Sequence, residues 1–269
     1  MIRALGVIVL ALASLPASAG ALFTVESTYG GSSSTNTIAV EGAQMKMNAG
    51  SAGADWNGEM IFKADRHEMI VVNHDERSYF VIDQEQMRQI SDQVNQAMAS
   101  MEQALAALPE GQRAKMEQMM KSRMPAMTEP REPSELKKTG ASDIVNGYDC
   151  DVYEVWRSGV REREFCVTDW SNVTEGQELA EAFAELGEMM RSMLDNLPRM
   201  ANGAAIGDAA FEHMKEINGF PVHTREYGDD GVLDGESKLV SASAASFSSA
   251  DFEPPKKYKR NDLMKGMKR

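Results

Sequence analysis

Histidine is scarce in this chain, and His67, His74, His213 and His223 fall at no spacing that pairs metal ligands. His67 and Glu68 lack the second histidine that a zinc-binding helix needs, so no metal site is assigned. No Gly-x-Ser-x-Gly elbow occurs, and the two thiols present, Cys150 and Cys166, are expected to be spent on each other. No catalytic residue and no cofactor is therefore marked, and the expectation is a protein that is not an enzyme. Positive charge is also in deficit: 28 Lys and Arg stand against 41 Asp and Glu, a formal net charge of −13. Nucleic acid is excluded as an expected partner, because it calls for a concentrated cationic face. Beyond the N-terminus no apolar run is long enough for a membrane helix.

What is there begins with a leader. Met1, Ile2 and Arg3 precede an apolar stretch from Ala4 to Leu15, and Pro16, Ala17, Ser18 and Ala19 follow. This charged, apolar and small-residue order fits a secretory signal over residues 1–19. Cleavage after Ala19 is expected, with no cysteine near the junction to carry a lipid anchor. The expected location is periplasmic or secreted, where an even cysteine count reads as one Cys150–Cys166 disulfide. A turn is expected at Ser158 and Gly159, and counting outward from Ser158 puts Cys150 opposite Cys166 on adjacent antiparallel strands.

Strand periodicity dominates from Leu22 to Asp83. Phe23 and Val25, Ile38 and Val40, Met45 and Met47, Met60 and Phe62, Met69 and Val71, and Phe80 and Ile82 each sit two apart. The pattern predicts a six-stranded antiparallel meander, and the run Ile70, Val71, Val72, apolar on both faces, requires a cover on the outer side. From Gln84 the period becomes helical, with Met87, Ile90, Val94, Met98, Met101, Leu105 and Leu108 on one stripe up to Pro109. Glu110 to Met124 predicts a second helix, so residues 84–124 read as a helical hairpin insert and 125–135 as a Pro-rich connector. Strands resume near Leu136. A further helical segment spans 176–217, striped by Leu179, Phe183, Leu186, Met190, Met193 and Leu197, before strands return at Asn218. Strands interrupted by helices without a βαβ rhythm predict an α+β fold, its curved antiparallel sheet covered on the concave face by helices. A single domain over 20–255 and a basic tail over 256–269 complete the organisation.

Two short segments nearly repeat: Ile144, Val145, Asn146, Gly147, Tyr148 and, later, Glu216, Ile217, Asn218, Gly219, Phe220. Asn-Gly before a strand is a turn signal, and the repeat predicts equivalent corners of one sheet. Twenty methionines, many on the helical stripes, are the compositional oddity. Thioether side chains are unbranched and polarizable, so a surface they line re-packs around apolar partners of different shape. Met116, Met119, Met120, Met124 and Met127 have a spacing that could offer thioethers to cuprous ion, but the helical stripe accounts for most of them without metal.

Asn146, Gly147, Tyr148, Asp149, Cys150, Asp151, Val152 and Tyr153, with Phe165 and Cys166 on the next strand, resemble the stapled hairpin of an uncharacterised group of exported bacterial proteins with a domain of unknown function. The ending Phe252, Glu253, Pro254, Pro255, Lys256, Lys257, Tyr258 resembles the Phe-x-x-Pro-x-x-Tyr close found there and in relatives of the periplasmic lipoprotein carrier LolA. The resemblance implies a LolA-like half-barrel enclosing an apolar cavity, and a carrier, lipid-binding or envelope-sensing role. The expected function is non-enzymatic binding of a lipid acyl chain or other hydrophobic ligand between sheet and helices. Its expected lining is Met45, Met47, Met60, Phe62, Met69, Met98, Met101, Phe183, Met190 and Met193. The alternative is an envelope protein-interaction or sensor module with a filled core, and the basic tail could also engage an anionic membrane surface.

Overall fold

A computed structural model describes residues 20–48, 57–113, 115, 132–195, 213 and 216–262. The predicted meander is present as β1 (Gly20–Tyr29), β2 (Ser32–Glu41), β3 (Gln44–Asn48), β4 (Gly58–Lys63), β5 (Glu68–Asn73) and β6 (Ser78–Ile82). Helix α1 (Gln84–Ala106) follows, then β7 (Glu135–Val145), β8 (Tyr148–Arg157), β9 (Val160–Thr168), helix α2 (Gly176–Asp195), β10 (Phe220–Tyr227), β11 (Leu233–Ala245) and a short β12 (Lys259–Arg260). All twelve strands form one open sheet in the order β12-β6-β5-β4-β3-β2-β1-β11-β10-β9-β8-β7. The two runs of strands join where β1 pairs with β11 along its whole length, Gly20 opposite Ala245 to Tyr29 opposite Gly235. Every pairing is antiparallel except that of β12 with β6.

The sheet is curved, and one contact shows how strongly. Asn146 Nδ2, in the turn between β7 and β8, donates to Leu239 O of β11 at 2.8 Å. β8 and β11 are three places apart in the sheet, roughly 14 Å at the usual ~4.8 Å strand spacing, so the contact requires coiling. Helix α2 lies in the resulting hollow. Leu179, Ala182, Leu186 and Met189, at helical spacing, are buried in one cluster with Phe23, Val40 and Phe62 of the sheet. Glu178 Oε1 anchors the helix by accepting from Gly42 N in the β2–β3 turn at 2.5 Å. Helix α1 behaves differently. Asp83 caps it by accepting from Gln86 N at 2.8 Å and Met87 packs against the core, but beyond Ser91 its described side chains are exposed up to Gln103.

The outer cover demanded by Ile70 and Val72 is the C-terminal segment. Phe252 is 0% exposed and sits among Ile61, Ile70, Val72 and Val81 on the convex face. Asp251 fastens the turn before it by accepting from Ser248 N at 2.7 Å. Glu253 pairs with the buried Lys63 at 2.5 Å, and Tyr258 OH meets His74 Nδ1 at 3.0 Å. The Phe-x-x-Pro-x-x-Tyr ending is thus a strap, and the basic segment that follows it starts inside the fold as β12.

Cys150 and Cys166 form the expected disulfide, with Cα atoms 5.2 Å apart, but they are not directly opposed. The partner of Cys166 is Val152, and Asp151 lies opposite Val167. Ser158 and Gly159 form a two-residue turn, both at positive φ (50° and 81°), so Arg157 faces Val160 and the axis falls between them rather than on Ser158. A register shift then leaves Glu162 as an extra residue between Arg161 and Arg163. The two displacements make the staple diagonal.

The repeated Asn-Gly motifs are likewise not equivalent corners. Asn146 and Gly147 make a two-residue hairpin turn, φ 50° and 88°, that brings Val145 opposite Tyr148. Gly219 instead passes so close to β9 that a Cβ there would lie 2.4 Å from Thr168 O. What the two share is the buried residue before each Asn, Val145 at 7% and Ile217 at 3% exposed.

Candidate functional site

Cross-strand register arranges the concave residues of β1 to β6 into two parallel rows. The inner row runs Ala21, Val40, Met45, Phe62, Met69 and Ile82, each opposite the next. Its first five members are buried, and α2 lies against them. The outer row runs Phe23, Ile38, Met47, Met60, Val71 and Phe80 by the same registers. Phe23 is buried in a stack with Phe220, their ring centres 6.0 Å apart, whereas the other five are only half-buried. Opposed residues share a face, so Ile38 to Phe80 form an unbroken apolar strip across five strands, about 19 Å long at ~4.8 Å per step.

The expected lining residues divide accordingly. Met45, Phe62 and Met69 belong to the inner row, Met47 and Met60 to the outer one, and Phe183 and Met190 are half-buried on α2. The side chains of Met98, Met101 and Met193 lie outside the described residues, as do Met116, Met119, Met120, Met124 and Met127.

A cleft of about 850 Å³ opens between the first turns of α1 and the middle of α2. Met87 and Met189 contribute its apolar surface, and Glu85, Arg88, Asp92, Glu185 and Glu188 its charges. Arg88 bridges Glu85 at 2.7 Å and Asp92 at 3.6 Å. Hydrogen bonds from Arg88 and Gln89 hold the Glu85 carboxyl below its ordinary pKa. A second hollow, about 550 Å³, adjoins the disulfide and carries Asp143, Asp149, Asp151 and Asp169. Among the described residues no group of three His, Cys, Asp or Glu is placed to hold a metal ion, and no described helix is long and apolar enough to cross a membrane.

One row of hydrogen-bonded side chains escaped sequence reasoning. Ser134 Oγ meets His213 Nε2 at 2.7 Å, and His213 Nδ1 meets Glu216 at 3.0 Å. The order of partners is that of a hydrolase relay. Ser134, however, follows Pro133 in the connector to β7 rather than standing on a strand-to-helix elbow, and the Glu216 side chain is 61% exposed. We read the arrangement as a tie between that connector and the approach to β10. Ser134 lies 79 residues from His213 in sequence, so no local spacing could have announced that contact.

An open, curved antiparallel sheet with a helix in its hollow places the molecule among α+β half-barrels. The chain belongs to the family described as a domain of unknown function, DUF4412, whose signature matches residues 84–258. Among solved structures it is similar to an uncharacterized conserved protein from Thermus thermophilus, with 7% identity over 91% of this chain and 90% of that one and a TM-score of 0.47. It is also similar to the MucA/MucB complex of Pseudomonas aeruginosa, with 9% identity over 89% of this chain, a span of 56% of that chain's length, and a TM-score of 0.38. No curated protein matches the sequence. Likenesses of this degree carry no argument about activity or partners.

Proposed function

We propose that this is a non-enzymatic binding or carrier protein of an exported compartment that shelters a lipid acyl chain, or a hydrophobic group of similar shape, along the outer concave row. The observation that carries the reading is the half-buried strip of Ile38, Met47, Met60, Val71 and Phe80 beside an inner row that is buried from Ala21 to Met69. Its span of about 19 Å suits a long acyl chain, and covering hydrocarbon contributes about 0.8 kcal/mol per methylene. Thioethers at the centre of the strip adapt to a guest with little strain. The disulfide fits export, because such bonds persist outside the cytosol.

A second reading, an envelope protein-interaction module, is favoured by one feature: α2 already fills the space over the inner row. A partner would then lay an apolar segment on the outer row alone. Organic extraction of protein purified from its native compartment, followed by mass spectrometry, separates the two. The carrier reading expects a co-purifying acyl lipid; protein that arrives empty and takes up no fatty acid on incubation overturns it.

A further inference from the structure

The sheet ends differently at its two edges. β6 carries β12 across Ser78 and Tyr79, whereas among the described residues no strand pairs with the far side of β7. Every residue of β7 except Leu136 and Val145 is exposed, Ile144 at 67%. The two-residue turn at Asn146 and Gly147 makes Val145 and Tyr148 a hydrogen-bonded pair, so the alternate residues Ile144 and Ser142 turn their backbone N–H and C=O away from β8. Leu136 and Lys138 do the same, because their partners Val155 and Tyr153 are in phase with Asp149 and Asp151. Between these two arms Thr139, Gly140 and Ala141 stand opposite Val152 alone as a bulge. Thr139 Oγ1 ties it down, donating to Val152 O at 3.0 Å and accepting from Ala141 N at 3.1 Å.

The edge is complementary to itself. Its first arm is cationic, with Lys137 and Lys138; its second carries Asp143 and borders the 550 Å³ hollow with Asp149, Asp151 and Asp169. Lys138 pairs with Asp151 at 2.6 Å, and among the described residues no cation pairs with Asp143, Asp149 or Asp169. Consider a second copy laid antiparallel on β7 about a two-fold axis at Gly140. Lys137 then faces Asp143, Leu136 faces Ile144, and Lys138 faces Ser142 at the rim of the acidic hollow, each contact occurring twice. Outward-turned residues meet outward-turned residues, as an antiparallel ladder requires. The axis falls on a glycine at φ 78° with nothing within 4 Å of where a Cβ would stand. Moving the axis by one residue sets Lys138 beside Ile144 or Leu136 beside Ser142, and separates Lys137 from Asp143. Ile144 N now donates to Asp143 Oδ1 at 2.8 Å; pairing gives it Leu136 O of the second copy instead and frees the carboxylate for Lys137. Lys137 meets Glu135 at 3.0 Å in an exposed pair, a kind that contributes little and is readily exchanged.

We infer that the free edge of β7 is a two-fold interface for a second copy of this chain, in the register that sets Lys137 against Asp143, so that two curved sheets continue into one. The inference is independent of the proposed ligand, because the half-buried strip lies on β2 to β6 and the interface at the other end of the sheet.

The test is sedimentation velocity on the purified protein over a concentration series, for the parent, for K137E, for D143K and for an equal mixture of the two variants. Both substitutions fall at exposed positions. The parent is expected to associate reversibly into a dimer and no further. Each variant alone sets like charges across both symmetric positions, and should dimerise at least tenfold more weakly while melting like the parent. The mixture restores opposite charges at both positions and should recover association to within about threefold of the parent. A parent that stays monomeric throughout the series, or one that grows beyond a dimer, overturns the inference. A dimer that neither substitution weakens overturns the assignment to β7, and a mixture of folded variants that fails to recover overturns the register.

Discussion

Phe252 carries a large share of the convex face on one side chain. It is completely buried against Ile61, Ile70, Val72 and Val81, so Phe252→Ala should cost about 3–5 kcal/mol, read as a fall in the urea midpoint with an unchanged slope. The ending was visible in the sequence as a motif, but its task was not: nothing in Phe-x-x-Pro-x-x-Tyr says which face receives it. The need for a cover was legible separately, in the doubly apolar Ile70–Val72. A second residue-scale prediction concerns His223. Burial holds its imidazole below the ordinary value, against the opposing effect of its hydrogen bond to the Glu236 carboxylate at 2.9 Å. Between the lowered native value and about 6.5 the unfolded chain binds the proton and the folded chain does not, so stability rises with pH in that window. The contribution is complete above about pH 6.5 and is lost as pH falls through the native value. Urea midpoints at pH 5 and 7 should therefore differ less in His223→Gln than in the parent; an equal difference would remove His223 from the account.

At the scale of elements, period was a reliable guide and register was not. Alternating pairs such as Met45 and Met47 or Met60 and Phe62 located all six strands of the first meander, because one buried face imposes a period of two. The offset between Cys150 and Cys166 depends on a turn of two residues and on Glu162 standing out of the ladder, and neither leaves a periodic trace. The same limit applies to the helices. The stripe of α1 predicted contact with the sheet, yet among its described side chains only those near the start pack there, because amphipathicity states that a face will be covered and not by what. Two measurements belong here. Reducing the Cys150–Cys166 bond, with a sequence separation of 16, should destabilise the fold by about 3 kcal/mol, a fall of about 6–12 °C in Tm; an unchanged melt of verified reduced protein would show that pairing alone holds the hairpin. Truncation after Ser246 removes Phe247, Phe252 and Tyr258 from the convex face. It should yield protein that aggregates on concentration while keeping its disulfide, whereas a soluble, normally melting product would mean that the strap is not the cover.

For the molecule as a whole, the closure of β1 on β11 matters most, because it turns two meanders into one coiled surface with a hollow. Sequence patterns marked both runs as strands but could not say that the first strand pairs with the eleventh, a contact between opposite ends of the chain. Nor could they separate an inner methionine row from an outer one: Met45 and Met47 look alike in sequence, and only the position of α2 makes one buried and the other half-buried. The account therefore turns on whether the outer row accepts a guest. Titration of a fluorescent long-chain fatty acid into the parent and into M47E/M60E decides it most directly, with circular dichroism confirming that the variant is folded. The account predicts saturable binding by the parent and a loss of at least tenfold in affinity in the variant; a parent that binds nothing, or a folded variant that binds equally well, would contradict it.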